Sequence, residues 1–202
     1  DAGCRAFLLS EEWYAGVLLE KDLSVCVILA TDTVQALQEI ASAYLSQFRL
    51  HRLAVTGSVG KTSTKEMTAR VLSTKYNTVF TQGNLNTHLG LCLTAFLADE
   101  STQAIVFEMG MDRSGEIGEY CRWVLPEIAV ITNVGSAHLE KLGTREAIAA
   151  AKLEIVREFS EENVLVFNCD SDYLSLGEVR QAVAQSCILC PVGESAEALY
   201  RI

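Results

Sequence analysis

The sequence predicts an α/β protein with a doubly wound, mostly parallel sheet and a P-loop-like core, preceded by the tail of a smaller α/β unit. Three observations predict it. Short apolar runs alternate with segments of helical period from residue 52 onward. Strands such as Ala104-Ile-Val-Phe and Ile128-Ala-Val-Ile are almost continuously apolar, as a parallel sheet buried on both faces requires. One of these runs, Leu53-Ala-Val-Thr56, passes through Gly57-Ser-Val-Gly60 straight into a helical pattern headed by Lys61, Thr62 and Ser63.

Residues 6–9 and 25–30 are apolar, partly β-branched runs, the second closed by Thr31-Asp32-Thr33. Those polar residues suit a cap for the next stretch, where Val34, Leu37, Ala41, Tyr44, Leu45 and Phe48 recur at helical spacing. The charged Gln47-Phe-Arg-Leu-His-Arg52 then suggests a domain boundary near Leu50, leaving 1–49 as the end of one domain and 50–202 as most of another. In the second domain strands are expected at 52–56, 78–81, 104–108, 127–132, 164–168 and 187–190. Helices are expected at 61–75, 86–98, 114–124, 144–160 and 172–185. The chain starts at Asp1 without a methionine and stops at Ile202 in a helix-like pattern, so it reads as a fragment.

The totals bound the class. The 202 residues, half of them hydrophobic, suffice for a sizeable core. Sixteen basic against 26 acidic residues, a net charge of −10, argue against nucleic acid or an anionic membrane as partner. No apolar run approaches the roughly 20 residues of a membrane span, and no signal peptide is read at the start. Seven scattered cysteines suit reduced packing residues of a cytoplasmic protein. Cys187-Ile-Leu-Cys190 lies in a strand-like run without a second pair, so packing is favoured over redox or zinc chemistry. A monomer is expected.

The loop after Thr56 carries the chemistry. Gly57 and Gly60 permit tight geometry, exposed N–H groups and the helix dipole attract anionic oxygens, Lys61 adds a mobile cation, and Thr62 suits a phosphate-bound Mg²⁺. Val55 stands where the full G-x-x-x-x-G-K-[ST] pattern needs glycine, so the match is to the shorter G-x-x-G-K-[ST], and a glycine turn with a solvated lysine is the competing reading. In doubly wound sheets ligands sit beyond the carboxyl ends of the strands. There this chain places Glu108-Met-Gly110, Asn133 to His138, and Asn168-Cys-Asp170. A carboxylate and an imidazole on that rim suit Mg²⁺ held directly or through water, although each alone could be a capping or loop residue. Gln82-Gly-Asn84-Leu-Asn86-Thr87-His88 follows a strand on the same rim and has a simple turn reading. Lys152 borders the apolar face of its helix, where a snorkelling surface lysine is the ordinary expectation.

Taken together, Thr56-Gly-Ser-Val-Gly-Lys-Thr-Ser63 with Thr64-Lys-Glu-Met, Gln82-Gly-Asn-Leu-Asn, Glu108-Met-Gly, Gly115-Glu-Ile, Ile131 to Glu140 and Ala151-Lys-Leu-Glu-Ile155 resemble the Mur ligase family in order and spacing, over roughly residues 1–190. The resemblance implies an N-terminal uridine-nucleotide domain, of which 1–49 would be the end, and a central ATPase, of which 50–202 would be most; a third, C-terminal domain would be missing. It implies ATP and two Mg²⁺ as cofactors. Carried over by position, Thr56, Gly57, Ser58, Val59, Gly60, Lys61, Thr62 and Ser63 form the ATP-binding loop, with Thr62 on Mg²⁺. Glu108 and His138 would bind magnesium, Asn168 would contact adenine, and Asn84, Asn86 and Thr87 would face substrate. Lys152 matches a lysine that the family carbamylates with CO₂ to support a second Mg²⁺, so Lys61, Glu108, His138 and Lys152 form the implied catalytic set.

The resemblance further implies a ligase of peptidoglycan precursors, joining D-alanyl-D-alanine to a UDP-muramoyl tripeptide through an acyl phosphate. Two departures stand out. Thr87 and His88 replace the family's usual Asn and Glu in Gly-Asn-x-Asn-Asn-Glu-x-Gly, and Val59 replaces a frequent Asn. The rival readings are a Mur-type ligase or folylpolyglutamate synthase adding one amino acid, and a nucleotide-binding module without catalysis. The isolated 202 residues are expected to bind ATP weakly and not to ligate.

Overall fold

The computed structural model describes residues 4–17, 26–183 and 187–201; Val25, the end of the helix expected at 172–185, and Ile202 lie outside the described residues. The chain begins with β1 (Ala6–Ser10), α1 (Glu11–Val17), β2 (Cys26–Ala30) and α2 (Thr33–Leu45), and β1 pairs parallel with β2 from Ala6↔Cys26 to Ser10↔Ala30. Asp32 starts α2 by accepting from the N–H groups of Val34 (2.8 Å) and Gln35 (3.0 Å), as its sequence position suggests.

The larger sheet follows: β3 (His51–Thr56), α3 (Lys61–Leu72), β4 (Thr78–Phe80), α4 (His88–Ala95), β5 (Ala104–Glu108), α5 (Glu116–Val124), β6 (Ile128–Ile131), α6 (Leu139–Leu142), α7 (Arg145–Leu153), a 3-10 turn at Glu154–Val156, β7 (Val164–Asn168), α8 (Leu176–Ala182), β8 (Ile188–Gly193) and β9 (Tyr200–Arg201). Its strand order is β4-β5-β3-β6-β7-β8-β9, and every pairing is parallel. The connection from β3 passes over β5 to β4, and that from β5 passes over β3 to β6. The carboxyl end of β3 is therefore the switch point at which open α/β sheets receive ligands.

Side chains alternate between two cores, as the two-residue period of a strand dictates. Ala54, Ile105, Phe107, Ala129, Ile131, Leu165 and Phe167 face the larger one, with residues of α2, α4, α5 and α7; Leu53, Val55 and Val106 face Ala69 of α3 on the other side.

Several boundaries differ from the sequence-based expectation, each for a local reason. The 144–160 helix ends at Leu153 and tightens into the 3-10 turn. The last helix begins at Leu176, because Ser175 and Glu178 form a reciprocal capping box there. The helix-like ending is corrected: Tyr200 and Arg201 extend the sheet, opposite Val192 and Gly193 of β8. Cys187 and Cys190 are only half-buried, Cys187 just before β8 and Cys190 within it; all seven cysteines are free. Among the described residues no helix is long and apolar enough to cross a membrane.

Candidate functional site

The loop between β3 and α3 is shaped by the segment after β6. Ser58 N–H donates to the Asn133 carbonyl (3.1 Å) and Val59 N–H to Asn133 Oδ1 (3.0 Å), while the Val59 carbonyl accepts from Thr132 Oγ1 (2.6 Å) and Asn133 Nδ2 (3.1 Å). Gly135 N–H donates to Ser58 Oγ at 2.8 Å. Gly57 has a φ of +151°, and a Cβ there would lie 1.9 Å from Thr132 Oγ1, so no larger residue fits. Thr56 is buried and its hydroxyl donates to the Met109 carbonyl (2.9 Å), tying the ends of β3 and β5. Thr56, Ser58 and Val59 thus build the loop. The free donors belong to the first turn of α3, whose opening N–H groups lack helical acceptors and carry the positive end of the dipole. Gly60 caps that turn with φ +80°, and Thr62 and Ser63 are exposed on it. Lys61 Nζ folds back onto the Gly57 carbonyl at 2.8 Å; burial lowers its pKa, and the Glu108 carboxylate offsets part of that shift.

Glu108 ends β5 and is 1% exposed. Its Oε1 accepts from Asn86 Nδ2 (2.9 Å), whereas Oε2 has no hydrogen-bond donor among the described residues. Besides Lys61, a second cation acts here: Lys65, to which the sequence assigns no role. Lys65 is fully buried, donates to the Thr81 carbonyl at 2.8 Å, and stands 3.8 Å from Glu108 Oε2 and 3.7 Å from Glu66 Oε1. The one available signal was its place four residues after Lys61, on the same side of α3.

Lys152 does not snorkel. It is 1% exposed near the end of α7, and burial first, then the neighbouring Lys61 charge, lower its pKa from 10.5 to about 7. Glu154, two residues on, accepts from the N–H groups of Gly115 (2.6 Å) and Gly118 (3.1 Å) and from Ser114 Oγ (3.1 Å), locking this end of α7 onto the start of α5.

A cleft of about 150 Å³ joins several of these groups: Lys61, Asn86, Thr87, Asp112, Tyr120 and His138 line it. His138 is held at φ +69°, an uncommon conformation for a residue with a side chain, and its Nδ1 lies 3.6 Å from Asp112 Oδ1. Asn84 is exposed in the turn before α4, and Thr87 caps that helix. Asn168 is exposed at the end of β7, its Oδ1 accepting from Asp170 N–H (3.0 Å). A larger hollow of about 710 Å³ lies between α2 and α5, but it is lined by residues outside the expected set, among them His88 and Arg113, whose guanidinium pairs with Glu119 at 2.6 Å. The smaller cleft, at the switch point, is the better candidate site.

The donor set fits magnesium. Among the described residues no three His, Cys, Asp or Glu side chains gather into a ready-made cage. Mg²⁺ usually takes only one or two protein carboxylates and fills its remaining positions with water and phosphate oxygens. The buried Glu108 Oε2, which has no hydrogen-bond donor among the described residues, supplies such a carboxylate oxygen.

Residues 55–201 match the family model of the Mur ligase middle domain. The UDP-N-acetylmuramoyl-tripeptide--D-alanyl-D-alanine ligase of Bacillus subtilis (strain 168) is 47% identical over 148 residues, 73% of this chain and 32% of its own length. The enzyme of the same name from Treponema pallidum (strain Nichols) is 44% identical over 138 residues, 68% of this chain and 30% of its own. Among solved structures, MurF from Acinetobacter baumannii superposes with a TM-score of 0.83 at 32% identity, covering 94% of this chain and 45% of that one. MurF ligase from Thermotoga maritima in complex with ADP gives 0.79 at 28% identity, covering 95% and 48%. The chain spans about a third of the length of these curated relatives. Matched by that model from the end of β3 through β9, the chain belongs to the Mur ligase family and carries its middle domain.

Proposed function

We propose that this chain is the ATP-using part of a cytoplasmic enzyme that joins D-alanyl-D-alanine to a UDP-N-acetylmuramoyl tripeptide during peptidoglycan precursor synthesis. The observation that carries the reading is the convergence, at one switch-point cleft, of Lys61, the first turn of α3, Asn86 and His138, with Glu108 held behind Asn86. The names of the B. subtilis and T. pallidum relatives support the choice of substrates. Free thiols throughout support a reducing compartment.

The chemistry follows from the groups present. ATP phosphates lie against the N–H groups of Gly60 to Ser63, and Lys61 exchanges the Gly57 carbonyl for a phosphate oxygen. The tripeptide carboxylate attacks the γ-phosphorus, forming an O–P bond as the bond to ADP breaks. The dipeptide amine then attacks the acyl carbon, loses a proton, and phosphate departs. No side chain acts as nucleophile; the protein aligns the donor and acceptor and neutralises crowded anions. Magnesium, when bound, supplies charge neutralisation at the phosphates, with Glu108, His138 and the Thr62 hydroxyl as the chain's ligands. Asn168 borders the adenine, and Asn84, Asn86 and Thr87 face the substrate. Lys152, with an amine that is about half neutral near pH 7, is suited to attack CO₂ and become a carbamate, releasing a proton and presenting oxygens to a second Mg²⁺.

The test is ADP release by the full-length protein given Mg·ATP and UDP-muramoyl tripeptide. Release that requires D-alanyl-D-alanine is expected. Release with single amino acids instead would reassign the step, and ATP binding without release for any acceptor would leave a binding module.

A further inference from the structure

The mechanism above leaves one buried charge unused. Lys65 is inside the protein, on the same side of α3 as Lys61 but one turn deeper, and its ammonium donates to the Thr81 carbonyl (2.8 Å) at the end of β4. Thr81 also accepts the Glu108 N–H on its hydroxyl (3.0 Å), so one residue fixes both the ammonium and the backbone that carries the carboxylate. Burying either charge alone is costly, and mutual pairing lowers that cost. Yet the pair stops short of a hydrogen bond: Nζ stays 3.8 Å from Glu108 Oε2, while Oε1 is taken by Asn86. The ammonium therefore balances the carboxylate without occupying its free oxygen.

We propose that Lys65 is a positioning residue: a fixed internal counter-ion that balances the Glu108 carboxylate and, by stopping short of a hydrogen bond, leaves Oε2 free of donors until a divalent cation takes over as the counter-charge. The inference rests on the reading of Glu108 as a magnesium ligand. It differs from a packing role in one respect. Lys65 and Mg²⁺ answer the same negative charge, so their contributions to stability are antagonistic rather than additive. Without Lys65, the metal-free protein suffers most and Mg²⁺ recovers part of the loss.

The experiment follows thermal unfolding of the full-length protein in EDTA and in millimolar Mg²⁺ alone, for wild type, Lys65→Met, Glu108→Gln and the double variant. Lys65→Met is expected to lower Tm in EDTA and to show a larger Mg²⁺-induced rise than wild type. The double variant is expected to be more stable in EDTA than Lys65→Met and to lose the Mg²⁺ response. Should Lys65→Met fail to fold, the double variant decides, because removing both charges restores folding if the pairing is the reason for failure. Equal losses with and without Mg²⁺, or a double variant no more stable than Lys65→Met, would overturn the proposal and leave Lys65 as a tether for Thr81. A wild type that gains no stability from Mg²⁺ would overturn both the magnesium reading of Glu108 and the exchange. The pairing itself is read separately from the EDTA series.

Discussion

Lys65 and Lys152 are both buried lysines beside the same phosphate-type loop, and their surroundings are opposite. Lys65 has a carboxylate 3.8 Å away and a carbonyl to receive its proton donor, whereas the charge that acts on Lys152 is another cation, Lys61. The difference teaches how one fold gives two buried amines opposite surroundings. Lys65 has a partner of opposite sign within reach; Lys152, desolvated beside a like charge, is driven towards the neutral amine.

The largest expected effect breaks the paired side. Glu108→Ala leaves Lys65 with only the half-exposed Glu66, and removing one member of a buried pair costs about 3–5 kcal/mol, read as a lower urea midpoint at unchanged m. The reverse sign is expected on the other side. Lys152→Met removes an ammonium that the fold disfavours, stabilising the protein at pH 7 by a few kcal/mol, about 1.4 for each unit by which the pKa is lowered; a destabilised variant would refute it.

The pH dependence sharpens the contrast further. Between about 7, the folded pKa of Lys152, and its ordinary 10.5, the unfolded chain holds a proton that the fold lacks. Stability contributed by this site therefore rises with pH across that window, and the penalty is complete below it. Urea unfolding at successive pH values should show this slope in wild type and a weaker one in Lys152→Met. In the same vein, if the proposed function holds, the CO₂-depleted full-length protein should regain ATP-dependent ligation on addition of bicarbonate, with no such recovery in its Lys152→Ala variant. The smallest effect is expected from Lys61→Met, which removes the lesser of the two causes and should raise the Lys152 pKa slightly, measurable by NMR of the lysine Cε.

Much of this was legible in the chain. The parallel strands announce themselves because β5 is buried at all five positions, which leaves only apolar choices until Glu108 at its end. The turn at Gly57 and Gly60 is legible because backbone at φ +151° and +80° admits few residues besides glycine. Lys65 was not: along α3 it reads as one more polar residue, and its burial depends on Thr81 and Glu108, which other strands deliver. Nor does the sequence show that the amides of Ser58 and Val59, which the resemblance places in the ATP-binding loop, are engaged by Asn133. The final strand escaped because two residues show no period, and only pairing with β8 defines them.

The loop's dependence on the segment after β6 has a consequence for how the protein comes into being. Its shape is closed by bonds between groups 73 to 77 residues apart in the chain, from Val59 to Thr132 and Asn133 and from Ser58 to Gly135. Closing so long a span carries an entropic penalty that local helices avoid, which makes such contacts slow to form. The nucleotide cradle should thus be among the last parts to mature, appearing only after β6 docks beside β3. A nascent chain that has just emitted its glycine loop holds the motif but not yet the site, and a nucleotide present during refolding should act on the final step rather than the first.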